Sequence, residues 1–141
     1  MTVCQDFIER IEADEQFLSN IIFSDEATFH TSGKVNRHNC RIWGETNPRE
    51  VYEHERDSPK VNVWCGLSNC RIYGPYFFNE RTVTSESYLK MLQDYFVPQL
   101  VESQRTIFQQ DGAPPHFARR VKEFLDQRFP NEWIGRGGLI K

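Results

Sequence analysis

Ile21-Ile22-Phe23-Ser24-Asp25-Glu26-Ala27-Thr28-Phe29 is the stretch on which the reading of this chain turns. Its apolar and aromatic residues predict a buried strand that runs to a turn at Ser32-Gly33. Two acids sit inside it. Placing a carboxylate in or beside a central strand is costly unless it is paired or holds a cation. A second acid has a comparable setting: Asp111 follows Thr106-Ile107-Phe108-Gln109-Gln110, at the carboxyl end of another predicted strand. Asp25 and Asp111 are 86 residues apart (111 − 25), and neighbouring strands of one sheet can close that gap. Carboxylate oxygens are hard ligands suited to Mg2+. Two such ions about 3.5–4 Å apart can activate a water and stabilise a leaving oxygen in phosphodiester cleavage. The competing reading of Asp111 is a turn cap, since Asp-Gly is a common turn pair.

Working outward, Val3, Phe7, Ile8 and Ile11 recur at helical spacing and predict an amphipathic helix over residues 3–17, interrupted by Ser19 and Asn20. Residues 35–43 alternate weakly and predict a second strand. Residues 45–60 are polar, hold Pro48 and Pro59, and predict a long surface loop. Residues 61–67 predict a further strand, Ser68-Asn69 a tight turn, and residues 70–78 its return. Gly74 and Pro75 there mark a bulge or an edge. Thr84 or Ser85 can cap a helix to Leu100, with Pro98 shortening or kinking it. A strand over 105–110, a helix over about 117–128 and a short strand from Trp133-Ile134 complete the order. Strands first and then a β-α-β-α tail predict a mixed α/β sheet with helices on its faces.

The chain has 141 residues, 38% hydrophobic and 26% charged, a globular composition of one domain's size. No apolar run approaches the roughly 20 residues needed to span a bilayer, so no membrane partner is expected. The net charge of −3 is uneven. Residues 1–26 carry seven acids and one base, or −6, leaving +3 for residues 27–141. Arg119, Arg120 and Lys122 cluster late in the chain and are candidate phosphate contacts, although an ordinary solvated helix face would look the same. Cys4, Cys40, Cys65 and Cys70 form no C-x-x-C pair, and His30, His38, His54 and His116 are scattered. The cysteines are expected to be reduced and partly buried, without a zinc site.

Phe23-Ser24-Asp25-Glu26-Ala27-Thr28-Phe29 resembles the first catalytic-strand motif of mariner-type transposases, the eukaryotic cut-and-paste DDE/D group. Gln110-Asp111-Gly112-Ala113-Pro114-Pro115-His116 resembles the second, and Lys60-Val61-Asn62-Val63-Trp64-Cys65-Gly66 with Gly74-Pro75 resembles the segments between. The resemblance covers about residues 5 to 140. It implies an RNase H-like fold: an antiparallel three-strand meander plus parallel strands with flanking helices. It implies Asp25 on the central strand and Asp111 just after the fourth, both as catalytic metal ligands of a two-metal Mg2+ or Mn2+ site. His116 matches a motif position and either reaches the site or caps the following helix. Glu26 points to the opposite strand face from Asp25, and a supporting role is the most it is given. Gly112, where the family often has Asn, is expected to serve the backbone turn.

The family's third acid lies slightly farther from the second than this chain extends, since 30 residues (141 − 111) follow Asp111. The chain also begins just ahead of the catalytic segment, without the helix-turn-helix modules of such transposases. It therefore resembles a single catalytic domain, 1–141, cut at both ends, its C-terminal helix missing and its active site incomplete. Three functions follow. The first is a transposase core acting on DNA in the nucleus by Mg2+-dependent phosphodiester cleavage and strand transfer, impaired for want of the third acid, with no small-molecule cofactor. The second is a non-catalytic nucleic-acid-binding or interaction module. The third, an RNase H-like enzyme acting on RNA–DNA hybrids, fits the detailed motifs poorly. Loss of the final helix would uncover a sheet face and favour self-association.

Overall fold

The computed structural model describes residues 3–30 and 59–138. The strand expected over 35–43 and most of the loop expected over 45–60 lie outside the described residues. In chain order the elements are α1 (Val3–Ala13), β1 (Ile21–His30), β2 (Lys60–Leu67), β3 (Ile72–Phe78), α2 (Ser85–Met91), β4 (Ile107–Gln109), α3 (Arg119–Arg128) and β5 (Trp133–Ile134).

The strands form one five-stranded sheet in the order β3-β2-β1-β4-β5, so β1 is central. β1, β2 and β3 pair antiparallel, while β4 joins β1 in parallel and β5 joins β4 in parallel. This is the mixed sheet expected from the sequence, with the meander ahead of the parallel strands. The register breaks between Trp64 and Gly66, opposite Gly74. Gly74 holds φ +114, and a Cβ there would sit 3.0 Å from the Trp64 carbonyl oxygen. Glycine is thus required where the irregularity was expected.

The two sheet faces differ. Ile22, Trp64, Tyr73, Phe78 and Phe108 pack with Tyr88, Met91, Leu92 and Phe96 from the α2 region and with Val121, Leu125 and Phe129 from α3. Phe17, Ile21, Ile107 and Ile134 form a second cluster, against which Phe7 and Ile11 of α1 pack. On the other face Phe23, Phe29, Leu67 and Phe77 are each about half exposed. Period-2 alternation along β1 places Ile22 and Ser24 inward and Phe23 and Asp25 outward.

The structure refines the sequence reading at the helix ends and at the cysteines. α1 ends at Ala13 rather than residue 17. Asp14 accepts a hydrogen bond from the Gln16 backbone N–H at 2.9 Å, a local turn that competes with further helix. α2 opens with the expected Thr84 cap, reciprocated by Ser87. Beyond Met91 the helix widens over Leu92–Phe96 and tightens over Val97–Gln99. Pro98 has no N–H for the helical ladder and its ring crowds the preceding turn. Cys65 and Cys70 are free thiols, but both are exposed rather than partly buried, because they lie on the open face and in the β2–β3 turn.

Candidate active site

β1 and β4 run parallel, with Phe23 opposite Gln109 as their last pair. Asp25 and Asp111 each lie two residues beyond that pair, at the carboxyl end of the β1–β4 ladder. Both line an open, largely apolar cavity of about 940 Å3 along the exposed sheet face, with Gln109 between the strands. Ser24 fixes the junction: its hydroxyl donates to the Gln109 carbonyl at 2.7 Å, and its N–H donates to the Gln109 side chain at 3.3 Å. Neither aspartate is buried, contrary to the sequence expectation. The face they reach is open among the described residues, so the desolvation penalty is avoided.

The other side of β1 carries a second carboxylate. Glu26 points away from Asp25 and is half-buried. Its Oε2 lies 3.2 Å from Nε2 of His116, and Nδ1 of the same ring lies 2.5 Å from Asp111 Oδ1. The Asp111 approach is close but not aligned as a hydrogen bond, and Nδ1 has no hydrogen-bond partner. Glu26 Oε1 is likewise buried without a partner. Ligand atoms of Glu26, Asp111 and His116 lie within 4.8 Å of one another. Asp25 is not part of that group, and its Oδ1 instead accepts from the Glu26 N–H at 2.8 Å.

His116 is held from all sides. Its ring stacks on Tyr88 at 4.1 Å between centroids. The Tyr88 hydroxyl donates to Gln110 Oε1 at 3.0 Å, and Gln110 Nε2 donates to the His116 carbonyl at 2.9 Å. Burial alone pulls the imidazolium toward deprotonation, but the Glu26 hydrogen bond and charge, aided by Asp111, outweigh it, and the pKa is raised above the ordinary value. Burial, with the Glu26 charge beside it, pushes the Tyr88 phenol well above its ordinary value, so it stays a neutral donor. The helix-capping role considered for His116 is not observed: α3 starts at Arg119 behind Ala118, with no side-chain cap.

Asp111 also makes the turn contact considered for it, accepting from the Ala113 N–H at 3.0 Å. Gly112 contributes less than expected. Its φ is not among the positive values, and a Cβ would meet only ordinary contact with Arg136 at 3.9 Å. The turn is made by the Asp111 side chain instead. Of the candidate phosphate contacts, Arg119 pairs with Glu123 at 2.7 Å and Arg120 with Glu86 at 3.0 Å, whereas Lys122 makes no ion pair among the described residues. Sequence reasoning missed Tyr88 and Gln110 as the brace behind His116. The buried polar Gln110 beside Asp111 was the available signal, but its partner comes from a helix 22 residues away in sequence.

Glu26, Asp111 and His116 bring two carboxylates and an imidazole close together, and carboxylate oxygens of this kind suit a divalent cation. Asp25, midway along the central strand β1, and Asp111, just past its parallel neighbour β4, sit on a mixed sheet whose antiparallel three-strand meander leads into parallel strands, the arrangement of an RNase H-like fold. That is the fold of the Mos1 mariner transposase catalytic domain. The chain superposes on the Mos1 strand transfer complex with TM-score 0.66 and 21% identity, over 94% of this chain and 38% of that one. It matches the mariner Mos1 paired-end complex with Mg at TM-score 0.65 and 22% identity, covering 93% and 39%. It matches the catalytic domain of Mos1 mariner transposase at TM-score 0.54 and 18% identity, covering 97% and 58%. The chain thus spans less than two thirds of each of these proteins. No protein-family model matches it, and neither does any curated protein.

Proposed function

We propose that this chain is the catalytic core, residues 1–141, of a mariner-type DNA transposase whose ancestral reaction is phosphodiester cleavage followed by strand transfer. The observation that carries the reading is the placement of Asp25 and Asp111 level with each other, beyond the β1–β4 ladder of an RNase H-like sheet and lining one cavity. The motif resemblance implies a metal-ligand role for both acids. Asp25 and Asp111 would hold Mg2+ or Mn2+, which on binding supplies Lewis-acid stabilisation of charge on the phosphate oxygens. The Mos1 structures with Mg and with Mn support divalent-metal use. His116 stands against Asp111 on one side and Glu26 on the other, Tyr88 stacks on its ring, and Gln110 holds its main-chain carbonyl. DNA is the substrate, and the nucleus the expected place of action.

Cleavage by the 141-residue polypeptide is expected to depend on both Asp25 and Asp111 and on a divalent metal. Nicking of supercoiled plasmid with Mg2+ or Mn2+ tests this. Metal-dependent nicking lost in Asp25→Ala and Asp111→Ala supports the reading. Nicking that survives both substitutions, or needs no metal, overturns it.

One observation favours a second reading, a transposase-derived nucleic-acid-binding module without catalysis. The carboxylate brought nearest to Asp111 and His116 is that of Glu26, while Asp25 turns to a backbone N–H. Salt-dependent DNA binding with no nicking under any metal would support that reading.

A further inference from the structure

Arg119 and Arg120 are occupied by Glu123 and Glu86, and Arg128 lies over the Phe129 ring at 5.3 Å. Two late cations, Arg136 and Lys122, stand together beside the segment that follows Asp111. Among the described residues, no carboxylate lies within ion-pair distance of Arg136 or Lys122. The Arg136 guanidinium stacks over the Phe117 ring at 4.3 Å, and both residues are exposed. The Arg136 side chain runs past Gly112, so it stands beside the residue that follows Asp111. Lys122 reaches the same loop from α3: a Cβ at Gly137 would lie 3.7 Å from its Nζ. Gly137 holds φ +92, so the loop needs a glycine there to adopt this path.

A guanidinium held over an aromatic ring has lost part of its rotamer freedom in advance, while its N–H fork stays available to an incoming acceptor. Such a fork matches two phosphate oxygens, and a neighbouring ammonium adds a point charge. Unpaired cations cost nothing to recruit, whereas Arg119 and Arg120 must first give up their glutamates. We propose that Arg136, stacked on Phe117, together with Lys122 grips the phosphate backbone of a DNA strand that enters the site at Asp111. This deepens the transposase reading and rests on it for the identity of the strand. It also moves the phosphate-binding surface from Arg119 and Arg120 to Lys122 of α3 and the loop that follows β5.

Fluorescence anisotropy of the 141-residue chain with labelled duplex DNA, in EDTA, tests the surface apart from cleavage. Between about 50 and about 200 mM salt, Arg136→Ala and Lys122→Ala should each weaken binding and lower the salt slope by about 1. Their double variant should lose about tenfold or more at the low-salt end. Arg136→Lys, which keeps the charge but loses the stacked fork, should retain the slope and bind more weakly. Lys90→Ala, an exposed cation on α2, should bind as the parent chain does. The proposal is overturned if the Arg136/Lys122 double variant, folded by circular dichroism, binds like the parent. It is equally overturned if Arg119→Ala or Arg120→Ala costs more than Arg136→Ala, or if the parent binds no DNA at low salt. Binding lost in the double variant without nicking by the parent leaves this surface standing and removes the cleavage reading. Nicking with binding unchanged in the double variant does the reverse.

Discussion

Glu26 on the central strand meets His116 in the segment after β4, Oε2 to Nε2, at 3.2 Å. The contact ties the two acid-bearing segments together from behind, on the sheet face that Asp25 does not use. It is a buried ion pair: His116 is 3% exposed, and the Glu26 side chain 16%. Removing one partner from such a pair leaves the other desolvated and uncompensated. His116→Ala should therefore cost about 1–3 kcal/mol of stability, read as a lower urea midpoint at unchanged m-value. Glu26→Gln keeps an oxygen acceptor for the ring and should cost less. Equal midpoints for His116→Ala and the parent chain would show that the pair does not hold these segments.

Metal binding distinguishes the two carboxylates of β1. Asp25 lines the cavity with Asp111, while Glu26 is turned to His116. If Asp25 is the ligand, Asp25→Asn and Asp111→Asn should each abolish Mn2+ binding measured by electron paramagnetic resonance. His116→Gln and Glu26→Gln act through the orientation of Asp111 and should weaken it by about tenfold. The opposite order, with Glu26→Gln abolishing binding and Asp25→Asn sparing it, would make Glu26 the ligand.

The sheet was legible because its signals are local. Apolar and aromatic runs in residues 21–29 and 61–67 marked the strands, and the order of elements gave the meander and the parallel tail. The Asp25 and Asp111 positions came from motif resemblance, and the β1–β4 register brings them level. What was hidden depends on contacts across the chain. Alternation alone sent Glu26 to the face away from Asp25, yet that face is where His116 arrives from a segment 90 residues (116 − 26) later. The charge cluster at Arg119, Arg120 and Lys122 looked uniform in sequence, but Glu86 and Glu123 separate its members. The Arg119–Glu123 pair has i,i+4 spacing that the sequence displays, whereas the Arg120–Glu86 pair spans 34 residues and leaves no periodic trace.

A second cross-chain contact predicts acid sensitivity. Arg105, ahead of β4, bonds Asp14 after α1 at 2.5 Å and also pairs with Glu132 ahead of β5. The Arg105 hydrogen bond, followed by the Gln16 N–H, holds the Asp14 carboxyl below its ordinary value. A carboxyl lowered in the folded state binds its proton more readily when unfolded. Its contribution is complete above the ordinary carboxylate pKa of about 3.9 and is lost as pH falls through the lower folded value. Stability should thus decline on acidification below about pH 4, and Asp14→Asn should flatten that part of the profile. Denaturant midpoints across the acid range measure it, and parallel profiles for the two chains would refute the linkage.

The open sheet face has its own consequence. Phe23 and Leu67 are cross-strand neighbours, and Val63 pairs with Phe77, so the apolar side chains lie side by side rather than scattered. Phe23 is 46% exposed, Leu67 54% and Phe77 57%, all lining the cavity that holds Asp25. A contiguous apolar patch of this kind favours association. The 141-residue chain should therefore self-associate with rising concentration in sedimentation velocity, and it should bind an apolar dye without denaturant. Phe77→Glu places a charge at the edge strand, outside the core formed by Trp64, Phe96 and Phe108. It should shift the distribution toward monomer and reduce dye binding while leaving the unfolding free energy from urea titration within about 0.5 kcal/mol of the parent. A monodisperse monomer for the parent chain at all concentrations would show that this face drives no association. Loss of stability in Phe77→Glu without any change in mass would show that Phe77 serves packing within one chain instead.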